Sequence, residues 1–412
     1  MKRAGVSPWS ARVASFLVVE AISAIGTFAT MIAIWAYAAY RYDASAGEIS
    51  LYGLAFSAPG VLLGPVTGVV IDRIGPRQTL LGAKALGVAA SLALLAAHDF
   101  RMLTILSALH GVGGAFARPA LQSLPPRMVD DEHLARTNAL VGLTDQLAIV
   151  LGPVAAGVAI GWFGFKGAFV FDAATYALGI VVLPLVQLRP VDAHPSTEPD
   201  GASVGLSAWR DAVAGWRIVA RTPVARRVVA STFVVFALYG LAMLAEPLYV
   251  RDVLERPTSV FAALQTVFGI FLVLGGLVAA RVGDRMATFG WVAAGVIGSG
   301  ATAIVYLSTR SVIIAFVGVS LWGVATAAIW GPSRTVLQRS TPVAAHGRVM
   351  SADTLAGNLA MFLGLGLAGV TIGAFGVRTT VLVVGFCVIV AGTALGLLDR
   401  VGTFSRVTAS TN

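Results

Sequence analysis

Charge is what this chain has least of. Asp, Glu, Lys and Arg make up only 12% of its 412 residues, where soluble domains carry about 25%, so a water-soluble domain is excluded as the main architecture. Cysteine is nearly absent as well. Cys387 stands alone, so no disulfide can form within the chain and cysteine usage says nothing of a redox compartment. No Gly-rich loop ending in Lys-Ser/Thr occurs, which argues against an ATP-driven pump. No Cys/His spacing suits a metal, and no order of nucleophile, base and acid stands out. The chain is therefore not read as an enzyme, and neither a metal nor a cofactor is expected.

Apolar residues fill the space that charge leaves, at 57% of the chain with a mean hydropathy of +0.84. A helix needs about 20 apolar residues to cross the hydrocarbon core. Twelve segments satisfy this, at approximately 13–38, 49–71, 78–97, 102–124, 138–161, 167–188, 227–250, 259–280, 288–307, 311–332, 349–373 and 379–398. Such uninterrupted runs exclude the alternating pattern of a membrane barrel, so the expectation is an all-α membrane protein. Lys2, Arg3 and Arg12 precede the first run, as in a signal peptide. That run is too long for a signal's apolar core and is expected to persist as the first span.

Twelve crossings return both termini to one side. With that side taken as the cytoplasm, the 29 Lys and Arg fall at or near it except Arg41, Arg101, Lys166, Arg251, Arg256, Arg310 and Arg378. This positive-inside asymmetry accounts for the basic balance without a nucleic-acid partner. The expected location is the plasma (inner) membrane, with several passes and both termini cytoplasmic. One long polar stretch, about 189–226, separates 1–188 from 227–412. Its first half, "RPVDAHPSTEPDGAS", reads as a linker. Its second half sets Trp209, Val213, Trp216 and Ala220 at helical spacing beside Arg210, Arg217 and Arg221. That pattern makes either an amphipathic helix on the inner membrane surface or a solvated linker helix.

The two halves superpose at a fixed offset of 212 residues: Asp72-Arg73 falls on Asp284-Arg285, Gly64 on Gly276, Arg136 on Arg348 and Gly152 on Gly364. "GVAIGWFGFK" (157–166) falls on "GVTIGAFGVR" (369–378). Gly and charge recurring in register is a repeat signal that apolar composition alone does not produce. Two six-helix bundles follow. Six is even, so both copies run the same way across the bilayer, related by a twofold axis along the membrane normal.

Span 2 ends in "GVVIDRIGPR", Gly68 to Arg77. Asp72 there faces the negative end of its own helix dipole and needs a compensating partner. Arg73, Arg77 and the start of span 11 near Ser351 are the candidates. Gly68 would admit another backbone, and Gly75 suits the sharp turn. The stretch resembles motif A of the major facilitator superfamily, Gly-x-x-x-Asp-Arg-x-Gly-x-Arg, with Pro76 where the motif often has a basic residue. "ARPALQSLPPRMVDDEHLARTNAL" followed by "GP" is similar to the bacterial efflux branch with enterobactin- and macrolide-exporter-like proteins. The resemblance implies two pseudo-symmetric six-helix bundles, a cavity between them, alternating access, and a cytoplasmic latch at Gly68, Asp72, Arg73, Gly75 and Arg77. Gly152, Pro153, Ala156 and Gly157 in span 5 resemble motif C, which the family associates with antiporters. Ala139 and Ala148 stand at that motif's upstream glycine positions, so the match is partial. Bending at Pro153 and close approach of the opposite bundle are expected there, or else tight packing without directional meaning.

Ionisable groups inside spans are costly and are functional candidates by default. Asp145 and Glu20, each about two turns into its span, are the first candidates for proton coupling, because desolvation raises the proton affinity of a carboxylate. Glu246, before Pro247, reads as an outer-gate or substrate contact, or as an interfacial residue. Asp172 and Asp353 read as helix N-terminal residues, and motif A partnership also places Asp353 near the latch. Arg118 pairs with Asp145 or an anionic substrate, or snorkels to the surface, and His110 reads as a satisfied polar residue rather than a proton relay. Trp35, Phe116, Phe268, Trp322 and Trp330 line a cavity or pack.

The leading expectation is a monomeric, proton-driven exporter of amphipathic small molecules such as drugs, antibiotics or siderophores. Its partners are the substrate, protons and the bilayer, and the proton gradient is its only driving force. An importer of a metabolite or sugar, and a non-transporting scaffold or sensor, are the alternatives. Orientation is checked with Cys387 replaced and single cysteines placed at Gly75 and at Lys166. An impermeant thiol reagent applied outside intact cells should label position 166 and spare position 75.

Overall fold

The computed structural model describes residues 10–188, 214–342 and 345–410. Inside its helices the side chains of Asp145, Pro153 and Asp284, among others, lie outside the described set. The described residues are helical almost throughout, with no strand among them. In chain order the helices are α1 (Ala11–Arg41), α2 (Ala46–Leu62), α3 (Gly64–Ile74), α4 (Pro76–Leu94), α5 (Phe100–Gln122), α6 (Pro125–Met128), α7 (Asp131–Phe163) and α8 (Phe165–Val182). The next, α9, is a short helix at 214–221. Then come α10 (Pro223–Leu248), α11 (Thr258–Val282), α12 (Phe289–Ser308), α13 (Val312–Arg339) and α14 (His346–Ser410).

All twelve apolar segments fall on these helices, with two differences of detail. The second segment is not one helix, because α2 stops at Leu62 and α3 restarts at Gly64 with Pro65 in its first turn. Proline brings no backbone N–H and its ring crowds the carbonyl four residues back, so the ladder breaks there. The last two segments are joined in α14, where Gly376 alone leaves helical geometry at φ 76°, ψ 164°.

The chain divides into unit 1 (Met1–Ala44 and Tyr52–Ala208) and unit 2 (Ser45–Leu51 and Trp209–Asn412). The linker 189–213, with Trp209, Arg210 and Val213, lies outside the described residues. On α9, Val219 is buried in the core of unit 2 with Ala225, Val228 and Phe289, while Trp216 and Ala220 are exposed.

The repeat seen in sequence recurs in backbone detail. At the same 212-residue offset, α1 and α10 begin at Ala11 and Pro223, α2 and α11 at Ala46 and Thr258, and α5 and α13 at Phe100 and Val312. Even the caps correspond. Asp99 accepts from the Met102 amide at 2.7 Å, and Ser311 accepts from the Ile314 amide at 3.5 Å. Each supplies an oxygen to an amide that the helix leaves unpaired. Gly164 and Gly376 both have positive φ, 70° and 76°, which L side chains adopt only at a cost.

The outward faces are apolar: Val370 is 73% exposed and Phe386 63% exposed on α14. A surface of this kind fits lipid tails, and lipid removes the hydrophobic drive between helices. Cohesion then rests on close packing at small residues. An added Cβ on Gly240 of α10 would meet the Met361 carbonyl oxygen at 2.1 Å, and one on Gly364 of α14 would meet the Ala237 carbonyl oxygen at 2.1 Å. At Gly68 such an atom would meet nothing within 4 Å. Gly240→Leu or Gly364→Leu should therefore cost about 1–3 kcal/mol by overpacking, read as a lower melting temperature in detergent, while Gly68→Ala leaves it unchanged.

Candidate functional site

Four helices of unit 1 turn ionisable side chains toward one another: Glu20 from α1, Lys84 from α4, His110 from α5 and Asp172 from α8. Helical spacing aligns the polar positions of each helix. Residues 20, 23 and 27 share a face of α1, 84 and 91 a face of α4, and 172 and 176 a face of α8. Lys84 Nζ lies 3.0 Å from Glu20 Oε1, with side chains 2% and 6% exposed. Lys84 also donates to Ser23 Oγ at 3.3 Å and stands 5.6 Å from the centroid of the Tyr176 ring.

A second pair adjoins the first. His110 Nε2 lies 2.9 Å from Asp172 Oδ2, and Ser91 Oγ donates to the same oxygen at 2.8 Å. Thr27 Oγ1 donates to Asp172 Oδ1 at 3.4 Å and shares a 2.9 Å hydrogen bond with the Tyr176 hydroxyl. Thr27 and Tyr176 thus join the two pairs into one network. Phe56 of α2 stacks on the His110 ring with centroids 6.0 Å apart.

Two sequence readings are corrected here. Asp172 does not serve the start of its helix. α8 begins at Phe165, and Asp172, two turns in, is fully buried and bonded to Ser91 and His110. Lys84, grouped with the inner cations in the positive-inside pattern, lies buried inside unit 1. Lys84, Thr27, Ser91 and Tyr176 were missed as members of a site. The available signal was a lysine well inside an apolar run, where an unpaired cation is costly.

Unit 2 carries Glu246 near the end of α10, buried at 4% exposure, which does not fit a side chain reaching the headgroups. Gln265 of α11 donates through Nε2 to Glu246 Oε2. Beside it runs an aromatic wall. Tyr239 and Trp322 stack with centroids 5.3 Å apart at 15°, Phe268 sits 5.3 Å from Trp322, and Trp330 stacks on Phe236 at 6.4 Å. In unit 1, Trp35 meets Tyr52 edge-on at 6.4 Å.

In the motif A stretch, Asp72 and Arg73 are exposed on the last turn of α3. Gly75 makes the corner to α4 at φ 89°, ψ 151°. Arg77 donates instead to the Pro184 carbonyl beyond α8, within unit 1. In the motif C-like stretch, α7 runs unbroken through position 153. A Cβ on Gly152 would meet Phe28 Cβ at 2.7 Å, so the close approach there is by α1 of the same unit. Ala156 is buried and Gly157 half-buried. Arg118 is exposed towards the end of α5, and Asp353 sits half-buried in the second turn of α14 rather than the first. The Asp145 side chain lies outside the described residues.

Removing one partner of a buried ion pair costs about 3–5 kcal/mol, because the other charge is stranded, whereas replacing both with apolar groups is often neutral. Lys84→Met should accordingly lower stability by that amount, and Glu20→Leu with Lys84→Met together should restore most of it. Thermal unfolding of the two variants beside the unchanged protein in detergent checks this.

Comparison with known proteins agrees with the architecture. The family model described as Major Facilitator Superfamily matches residues 16–364. The uncharacterized MFS-type transporter YfiS of Bacillus subtilis (strain 168) is 22% identical over 94% of this chain and 92% of its own length. The multidrug efflux pump Tap of Mycobacterium tuberculosis (strain ATCC 25618 / H37Rv) is 26% identical over 85% of this chain and 84% of its own. A solved bacterial homolog of the human lysosomal transporter Spinster, inward-facing and unoccupied, superposes with a TM-score of 0.73 at 16% identity, covering 95% of this chain and 98% of that one. With twelve apolar helical segments, a duplicated fold and a family match over most of its length, the chain belongs to the Major Facilitator Superfamily and is a membrane transporter of small molecules, not an enzyme.

Proposed function

We propose that this transporter is a proton-coupled exporter, an antiporter that moves amphipathic small molecules such as drugs, antibiotics or siderophores out of the cell by alternating access. The observation that carries the reading is the buried ionisable network of unit 1, with Glu20 and Lys84 at 3.0 Å and His110 and Asp172 at 2.9 Å. Charges are retained inside a membrane bundle where they do work, such as relaying protons. Desolvation raises the proton affinity of a carboxylate, and a neighbouring cation lowers it. A shift in hydration as access alternates therefore loads and unloads a proton. Protonation from outside displaces the substrate, and deprotonation inside restores affinity for it.

Export is supported by similarity to proteins such as Tap, described as a multidrug efflux pump, and by the low charge content of the spans, which suits amphipathic cargo. The motif A stretch is proposed as a cytoplasmic latch that acts when access is outward, with both termini cytoplasmic in the plasma membrane. The chain is proposed to work as a monomer with no cofactor.

A susceptibility screen of an efflux-deficient bacterial host expressing the chain supplies a substrate. In proteoliposomes that substrate should move in the export direction only under an imposed pH gradient. Asp145→Asn or Glu20→Gln should reduce gradient-driven movement to the level without a gradient. Equal transport with the gradient collapsed by an ionophore would overturn proton coupling.

A further inference from the structure

Unit 2 has a cavity of its own at the end that the sequence reading puts outside. It has a volume of about 390 Å³ and lies between the end of α10 and the turn at Gly376 within α14. That volume suits a small ligand or a headgroup. Here α10 gives way to a π-helical turn, Tyr249–Val253, a distortion that frequently marks functional sites. The turn brings Arg251 and Asp252 to the cavity wall, and α14 brings Phe375, Arg378 and Thr379. Arg251 and Arg378 are both cations that fall outside the positive-inside set, and both line this one cavity.

Counting charge separates the two arginines. Arg251 donates through Nε and Nη2 to both carboxylate oxygens of Asp252, the second at 3.0 Å, so that pair sums to zero. Arg378 donates through Nε to the Ser308 carbonyl at 2.8 Å. Among the described residues no carboxylate forms an ion pair with it. The carbonyl bond fixes the arm and leaves the two terminal nitrogens, which suit a phosphate. Thr379, exposed beside it, adds a hydroxyl. The cavity therefore carries one net positive charge. Its other side is apolar. Phe375 is exposed, and Leu363, Leu367 and Val370 continue an exposed stripe along α14 at helical spacing.

A cation at the membrane surface, with hydrocarbon-facing side chains running inward from it, complements a molecule with a negative head and an apolar tail. We propose that this cavity binds an anionic phospholipid, its phosphodiester on Arg378 and Thr379 and an acyl chain along Phe375, Val370 and Leu367. A zwitterionic headgroup would bring an ammonium to a cavity whose carboxylate is already paired. A soluble phosphate would gain the charge and forgo the stripe. The duplication supplies a control. At the 212-residue offset Arg378 corresponds to Lys166, Thr379 to Gly167, Arg251 to Ala39 and Asp252 to Tyr40, and α1 stays α-helical to Arg41. The cation recurs in unit 1, as an ordinary interfacial anchor would. The hydroxyl, the paired arginine and the π-turn do not. This inference is independent of what the transporter carries and in which direction.

Native mass spectrometry of the full chain in detergent provides the test. The probes are phosphatidylglycerol, phosphatidylcholine with the same acyl chains, and soluble glycerol phosphate. Phosphatidylglycerol should bind more tightly than phosphatidylcholine. Arg378→Gln should weaken one bound phosphatidylglycerol about tenfold, the worth of one charged hydrogen-bonding group, and Lys166→Gln should weaken none. Phosphatidylglycerol should also raise the melting temperature of the unchanged protein more than that of Arg378→Gln, because a ligand stabilises the state that binds it. Should Arg378→Gln not fold, Thr379→Val and Phe375→Ser replace it, each expected to weaken the same lipid. Equal binding of the two lipids would overturn the proposal, as would affinity unchanged by these substitutions. An equal loss in Lys166→Gln would reduce the effect to interfacial charge, and glycerol phosphate binding as tightly as the lipid would leave the acyl chain no part. Either result would also sink it.

Discussion

Hydrocarbon offers a buried polar group no water, and the rest of this structure follows from that constraint. Backbone amides are satisfied within helices, so apolar runs become helices even where proline intervenes, as between α2 and α3. Helices cannot gain much by hiding apolar surface from a solvent that is itself apolar. They gain instead by close approach at glycine, as between α10 and α14 at Gly240 and Gly364. Side-chain charge is the hardest case. Inside unit 1 it survives where partners meet at about 3 Å, Glu20 with Lys84 and Asp172 with His110.

Duplication separates what the fold needs from what the function needs. Helix starts, capping residues and the two positive-φ glycines recur at one offset, so these are requirements of the bundle. The interior chemistry does not recur. Unit 1 concentrates ionisable groups where unit 2 has Val296, Trp322 and Val384, and unit 2 stacks Tyr239 against Trp322 and buries Glu246 against Gln265 instead. One ancestral scaffold thus carries a charged interior in one copy and a largely aromatic one in the other.

Much of this was legible in the sequence because it depends on local, one-dimensional quantities. Apolar length marks a span, and Gly and charge at a fixed offset mark a repeat. A carboxylate inside a span, such as Glu20, is conspicuous against its neighbours. Asp172 and Lys84 were harder. Asp172 lies near the start of its predicted span, where a dipole-facing carboxylate is the ordinary outcome. Lys84 counts with the inner cations although it stands well inside an apolar run. Their partners come from helices dozens of residues away in sequence. The motif C-like Gly152 illustrates the same limit. Its small size was plain, but its neighbour, Phe28 of the same unit, was not.

By itself, then, the sequence determined the all-helical membrane architecture, the two-bundle repeat and the family, because hydropathy and periodicity act on each segment separately. Only the tertiary structure decided which charges meet. The rotation of each helix about its axis turns Lys84 toward Glu20 and His110 toward Asp172. That phase is set by packing against neighbours rather than by any property of the segment alone.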